Sequence, residues 1–421
     1  MSGWALAVTA GIVLAYGAFS SRLERTPITA AIFFVTAGLV FGSEGLGWID
    51  VGVRSHAVRL LAEATLTLVL FADASRIDVR ALRREYSVPA RLLGYGLPLT
   101  ILLGAAVAAG LFSKLSLPEA FVLAIILAPT DAALGQAVVT DARLPSRIRQ
   151  GLNVESGLND GICVPLLFIA LAVSEAEAHS TSAHTAFTLV AEAIGYGVLF
   201  GVVAGLVGAC LVRFSPDPDA SWLQVIPAGT AALAYGLAAP LGGSGFIAAF
   251  VAGFVYGAAR KGETAEGNHF LDELGGLANA VTFVVFGAAI VGPALTGMSW
   301  RAPVYAVLSL TVIRMLPVAL SLLGTHARPP TVAFLGWFGP RGLASIVFTV
   351  IVIEEAKLPE ISTIWSTVTF TILLSVFLHG LTSRPLTARY AGWYQAHPED
   401  RRPSMEAVAA AHQRWRRPTT S

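Results

Sequence analysis

Two heptapeptides decide how this chain folds: Ile126-Leu127-Ala128-Pro129-Thr130-Asp131-Ala132 and Gly336-Trp337-Phe338-Gly339-Pro340-Arg341-Gly342. Each places a proline, and then a charged residue, in the middle of a long apolar run. Proline lacks the amide proton a helix needs, and its ring clashes with the carbonyl four residues back. Each run therefore reads as a helix broken at its centre. A single break is an ordinary kink; a matched pair, each followed by a charge, reads as a built feature. In lipid such a break survives only where it is buried in protein or lines a wet cavity.

The rest of the chain supplies that setting. Of its 421 residues 55% are hydrophobic and 13% charged, with 28 Lys+Arg against 27 Asp+Glu and a mean hydropathy of +0.69. A soluble domain carries about 25% charged residues. The composition excludes a soluble globular enzyme, a disordered chain and a nucleic-acid binder, which needs a basic excess. The two cysteines, Cys163 and Cys210, both lie in apolar stretches and offer neither a disulfide framework nor zinc spacing. Spanning the hydrocarbon core takes about 20 apolar residues. Thirteen stretches qualify: 4–19, 27–41, 57–72, 91–112, 119–139, 151–173, 185–212, 222–240, 245–259, 272–295, 302–324, 331–353 and 361–381. The first lacks the basic start and cleavage site of a signal peptide and reads as a span. The expected fold class is an all-α polytopic membrane protein.

Lys and Arg accumulate on the cytoplasmic side of membrane proteins. Alternating the thirteen spans puts 21 of them on the side of the C-terminus, including Arg76, Arg80, Arg83, Arg84, Arg143, Arg147 and Arg149. Five fall opposite: Arg54, Arg59, Lys114, Arg301 and Lys357. This reading puts the chain in the cell (inner) membrane with the N-terminus outside and a short basic tail, 383–421, on the inner membrane surface.

Five charges escape the loops: Asp131, Glu155, Asp160, Arg314 and Arg341. Asp131 lies twelve residues into its stretch, Asp160 nine, Arg314 twelve and Arg341 ten. At 1.5 Å per residue each sits roughly 13–18 Å deep. A charge there costs at least about 2.5–3.5 kcal/mol on insertion scales. A structural ion-pair network is the bland account. Three acids and two arginines at one depth favour function instead. The sixth stretch reads Asn153-Val154-Glu155-Ser156-Gly157-Leu158-Asn159-Asp160-Gly161. Glu155 with Asn159, and Ser156 with Asp160, are four apart and share a helix face. Two carboxylates, a hydroxyl and an amide form an oxygen set suited to Na⁺, K⁺ or Li⁺, with Thr130 and the carbonyls freed at Pro129 to complete it. Spans one to six and eight to thirteen, joined by seven, read as inverted halves with the breaks in matching positions. That pattern marks the binding site of secondary transporters.

Ala128-Pro129-Thr130-Asp131, Glu155-Ser156-Gly157-Leu158-Asn159-Asp160-Gly161, Ser244 to Gly253, Gly339-Pro340-Arg341-Gly342 and Leu378-His379-Gly380-Leu381-Thr382 together resemble the cation:proton antiporter-1 family, the NhaP-type sodium/proton antiporters. The resemblance runs from about residue 26 to 389. It implies two inverted six-helix repeats with crossed, interrupted helices, the NhaA/NhaP-like antiporter fold. It implies a core of 91–175 and 302–382, dimerisation helices in 1–90 and 222–297, a connecting helix 185–213 and a homodimer. It makes Asp160 the carboxylate taking cation or proton, with Thr130 and Ser156 coordinating the ion. It places Asp131 at the crossing, facing the helix ends, and pairs Glu155 with Arg314. Asn159, where electrogenic relatives have aspartate, implies electroneutral exchange. Asp73 is a looser match, carried as an extra ligand or cation funnel. Many relatives have proline where Ala132 stands, so the chain must open at Asp131 without that second break.

The expected activity is exchange of a monovalent cation, Na⁺ first and K⁺ or Li⁺ as alternatives, for H⁺, one for one. No cofactor, enzyme chemistry or nucleic-acid partner is expected; the partners are the cation, the proton and the bilayer. His379 reads as a satisfied polar contact rather than a proton relay. Gly242, Gly243, Gly253 and Gly257 read equally as sliding surfaces and as close-packing sites. The rivals are a passive cation channel, which the paired breaks argue against, an electrogenic antiporter, and a membrane enzyme. For the last there is no His-Glu-x-x-His, and Gly242-Gly243-Ser244-Gly245 has the wrong spacing for a nucleophile elbow.

Overall fold

The computed structural model describes residues 3–23, 26–77, 87–131, 134–179, 183–214, 221–260, 269–355, 357–397 and 405–406. Among these the chain is nearly all helix, with one isolated bridge between Gly42 and Ile49. Lipid leaves every backbone polar group to be satisfied within its own segment, which is why the apolar runs become helices.

In chain order these are α1 (Gly3–Leu23), α2 (Ala30–Phe41), α3 (His56–Ser75), α4 (Leu97–Leu111), α5 (Leu117–Ile126), α6 (Gln136–Val139), α7 (Ser146–His179) and α8 (Ala183–Arg213). There follow α9 (Ile226–Ala238), α10 (Gly245–Ala259), α11 (His269–Val285), α12 (Gly292–Leu295), α13 (Arg301–Leu310), α14 (Val312–Ser321), α15 (Pro329–Trp337), α16 (Leu343–Glu355) and α17 (Ile361–Gln395). Helical turns Ser87–Arg91 and Leu92–Gly96 lead into α4, and a π turn, Phe286–Val291, joins α11 to α12. Among the described residues seven helical stretches are long and apolar enough to cross a membrane: Gly3–Leu23, Ser87–Leu111, Ser146–Glu177, Phe187–Arg213, His269–Leu295, Arg301–Ser321 and Ile361–Gln395. Shorter apolar helices include Ala30–Phe41, Leu117–Ile126, Gly245–Ala259 and Leu343–Glu354.

Both predicted interruptions are present. α5 stops at Ile126 and helix resumes at Gln136; α15 stops at Trp337 and helix resumes at Leu343. Ala132 and Ala133 lie outside the described residues. The two gaps meet: the Asp131 amide donates to the Pro340 carbonyl at 2.8 Å. α7 passes alongside, and Asp160 is fourteen residues into it, about 21 Å from its start.

Three expectations change. The run 302–324 reads as one helix but is split at Thr311 (φ −113°, ψ −92°). Pro317, three residues past Arg314, crowds the carbonyl of Ile313 and denies it a donor. The last helix does not stop at 381 but runs to Gln395, because its polar-looking end packs on protein. Tyr390 stacks on Phe334 with centroids 4.3 Å apart. The tail is not simply a surface segment either. Met405 and Glu406 are buried; Arg147 donates to the Met405 carbonyl at 3.1 Å, and Thr331 Oγ1 to Glu406 Oε1 at 2.5 Å. The other tail residues, 398–404 and 407–421, lie outside the described set, as do Arg80, Arg83 and Arg84.

Gly253 and Gly257 are close-packing residues: a Cβ on either would collide with the backbone of α3, at Phe71 and Ser75. At the other face, Ser116 and Glu119 form a capping box on α5, and Glu119 Oε1 also accepts from the Glu360 amide at 2.9 Å, at the start of α17.

Candidate functional site

A broken helix leaves carbonyls at one end and amides at the other without intrahelical partners. The crossing answers each with a side chain from the opposite half. Past the end of α5, Arg341 Nη1 donates to the carbonyls of Ala128 (2.7 Å) and Pro129 (3.0 Å), and Ser345 Oγ to that of Ile126 (2.7 Å). At the start of α16, Asp131 Oδ2 accepts from the Leu343 amide at 3.0 Å. A positive group thus meets a helix C-terminus and a negative group a helix N-terminus, the arrangement helix dipoles favour. Arg341 is wholly buried. The two glycines flanking it make room: a Cβ on Gly339 would strike Arg314 Nε, and one on Gly342 would strike Asp131 Oδ2.

Glu155 and Arg314 meet fork on fork, Nη1 to Oε1 at 2.5 Å and Nη2 to Oε2 at 2.9 Å, with side chains 3% and 4% exposed. Both Glu155 oxygens are therefore engaged, and of the two α7 carboxylates in the sequence motif 153–161 only Asp160 remains available. Ser156 Oγ donates to the Thr130 carbonyl at 2.6 Å, and Asn159 Nδ2 to Thr130 Oγ1 at 2.7 Å. These bonds turn the hydroxyl of Thr130 and one turn of α7 toward each other across the α5 gap. Asp160 is 7% exposed, and its Oδ1 is buried with no hydrogen-bond partner among the described residues; the same holds for Asn159 Oδ1. Unpaired buried oxygens are costly unless something fills the place of a donor.

The next face of α7 packs elsewhere. A Cβ at Gly157 would touch Asp73 of α3 at 3.3 Å, and one at Gly161 would hit the Phe250 ring of α10. Asp160 lies between these faces, on the seam where the broken helices meet the α3–α10 layer. Asp73, at the end of α3, is near Arg76 (Nη1 to Oδ1, 3.5 Å), which also pairs with Asp272. A small cavity lined by Thr130, Asp131, Gly135, Val138, Val139, Leu152, Ser156, Phe338 and Pro340 reaches the crossing. It touches Ser156 and Thr130 and stops short of Asp160. Among the described residues no group of His, Cys, Asp and Glu has the makings of a multidentate metal centre.

His379 is 1% exposed and both ring nitrogens have partners: Nε2 lies 2.9 Å from the Trp337 carbonyl and Nδ1 3.1 Å from Ser375 Oγ. Ser345, Ser375, Gly339 and Gly342 were not singled out as site residues from the sequence. Their signal was their place inside or opposite the second interruption.

Buried charges gathered where two half-helices meet define a polytopic membrane protein of the broken-helix kind. The chain belongs to the family described as "Sodium/hydrogen exchanger, transmembrane", which it matches over residues 8–389. It is similar to the K(+)/H(+) antiporter NhaP of Alkalimonas amylolytica, 26% identical over 322 residues, covering 75% of this chain and 54% of that protein. It is 25% identical over 370 residues to the K(+)/H(+) antiporter NhaP2 of Shewanella oneidensis, covering 86% and 62%. A probable Na(+)/H(+) antiporter of Schizosaccharomyces pombe is 23% identical, covering 85% and 52%. The chain thus spans between half and two thirds of the length of these relatives. Its fold is that of the sodium proton antiporter MjNhaP1 from Methanocaldococcus jannaschii, with a TM-score of 0.76 at 20% identity, covering 89% of this chain and 98% of that one.

Proposed function

We propose that this protein exchanges a monovalent cation for H⁺ across the membrane, one for one, with Asp160 as the shared site. The observation that carries this reading is the state of the charges at the crossing. Among the described residues the acids Glu155 and Asp131 are matched, by Arg314 and by an amide, whereas the acid Asp160 keeps a buried oxygen without a donor; Arg341 reaches carbonyls through Nη1, and its Nε and Nη2 are buried without acceptors. A carboxylate so placed cannot remain ionised and alone. A proton or a cation must neutralise it, and competition between the two is the coupling. Thr130 and Ser156 stand beside it as oxygen ligands, and Asn159 holds Thr130 in place. Glu155–Arg314 acts as a brace and Arg341 and Asp131 as dipole caps. Asp73 is the nearest further acid on the other wall of the seam.

Na⁺ is the first cation to test, with K⁺ a close second since the bacterial relatives carry K(+)/H(+) in their names. Residues 91–175 and 302–382 form the moving core, 1–90 and 222–297 the dimerisation helices of a homodimer, and 185–213 the connector. The core shifts against the rest to expose Asp160 alternately to each face, in a cell membrane with the N-terminus outside. One experiment tests the reading: purified protein in vesicles with an internal pH dye, challenged with Na⁺, K⁺ or Li⁺. Wild type should dequench the dye and Asp160→Asn should not. Exchange by the Asn variant removes Asp160 from the role. Cation flux without proton movement makes the protein a channel, and a transport current refutes one-for-one exchange.

A further inference from the structure

The second interruption needs more than the opposite half-helix to hold it. Its residues 338–342 are tied on their far side to α17. The Trp337 carbonyl, the last of α15, lies 2.9 Å from His379 Nε2. Four residues on, the Arg341 amide donates to Ser375 Oγ at 2.7 Å. Ser375 and His379 are one helical turn apart, and Ser375 Oγ is 3.1 Å from His379 Nδ1. Nδ1 also lies 3.0 Å from the Ser375 carbonyl. In the neutral tautomer with Nε2–H donating to Trp337, the Ser375 hydroxyl is the donor to Nδ1, and the same hydroxyl accepts from the Arg341 amide. Both side chains are buried, Ser375 fully. The guanidinium of the same Arg341 carries the Ala128 and Pro129 carbonyls, one residue from Thr130.

We infer that Ser375 and His379 are positioning residues that clamp both edges of the second interruption and so fix Arg341, and through it the Thr130 ligand, for cation binding. This rests on the proposed role of Asp160 and Thr130. The clamp holds no proton for transport; Nε2 is committed to the Trp337 carbonyl and Nδ1 to the hydroxyl and carbonyl of Ser375.

The test compares His379→Gln, His379→Asn, His379→Ala and Ser375→Ala in the vesicle assay, with apparent KM for Na⁺ and K⁺, maximal rate and pH profile measured for each. Cation-dependent thermal stabilisation of the purified variants provides a readout independent of transport. A Gln amide reaches the Nε2 position and keeps the bond to Trp337; Asn is too short. We expect Gln to stay within about threefold of wild type in KM. Asn, Ala and Ser375→Ala should raise KM about tenfold or more, with an unchanged pH profile and a matching loss of cation-dependent stabilisation. Equal behaviour of Gln and Ala overturns the clamp. If both are unimpaired, the contacts are passive packing; if both are inactive with a displaced pH profile, His379 carries the proton. Should His379→Ala fail to fold, Ser375→Ala and the Gln–Asn contrast decide in the same way. Failure of the antiport reading itself would appear in wild type and Asp160→Asn, not as a difference among these four.

Discussion

Removing one side of the buried Glu155–Arg314 pair is the most demanding test of the site's architecture. The pair makes two hydrogen bonds, at 2.5 and 2.9 Å, between side chains at most 4% exposed. Glu155→Gln keeps the shape and removes the charge, leaving Arg314 buried and unmatched beside Gly339 and not far from a second buried arginine. Breaking a buried pair from one side costs about 3–5 kcal/mol. That corresponds to roughly 150- to 5,000-fold in the folding equilibrium. Replacing both partners by apolar groups of similar volume is often neutral. Glu155→Leu with Arg314→Met should therefore recover most of what either single change loses. Detergent-unfolding titrations of the purified protein measure the stabilities, and the vesicle assay measures exchange. Because Arg314 occupies both Glu155 oxygens, the double variant should still exchange cation for H⁺, whereas Asp160→Asn should not. A Glu155→Gln variant within about 1 kcal/mol of wild type, or a double variant no better than the singles, would refute the brace.

Gly339→Ala and Gly342→Ala should each destabilise the protein by about 1–3 kcal/mol, since the added methyl meets Arg314 in one case and the Asp131 cap in the other; unfolding titrations check this, and neutral outcomes at both would show the crossing to be loosely packed. Ser345→Ala leaves the Ile126 carbonyl without its donor and should cost about 1–3 kcal/mol by the same measurement. In the loop before α7, Asp141 accepts from Arg143 Nε and Nη2, which holds its carboxyl below the ordinary 3.8. A depressed folded-state value stabilises above the unfolded one and the gain disappears as pH falls through it. Asp141→Asn should therefore lower the melting temperature slightly at pH 7 and make no difference at about pH 2. An unchanged gap between the two curves would contradict the pairing.

Most of the fold could be read from residue types. Apolar runs about as long as the bilayer is thick, with prolines before Thr130 and Arg341, led to helices and to both interruptions. Span ends were less legible, because hydropathy registers contact with lipid but not contact with protein. That is why the polar-looking end of α17, with Tyr390 stacked on Phe334, was missed. Charge depth located Asp160, Glu155 and Arg314. What depth could not give was the division of labour among them. Ser345, Ser375 and His379 act on gaps that lie 34 to more than 200 residues away in sequence, and a lone hydroxyl in a helix looks the same whether it caps its own turn or another chain segment. The glycines beside Arg341 leave space for a guanidinium and a carboxylate, which only the packed structure reveals.

Glu119 has a mechanical consequence of its own. One oxygen accepts from the Ser116 amide in its own capping box and the other from the Glu360 amide that begins α17. A planar group pinned at both corners has little torsional slack, so the tip of α5 and the first turn of α17 are geared together. Glu119→Gln, which keeps the shape but places an NH₂ where one of the two amides points, would loosen that link at one of its corners.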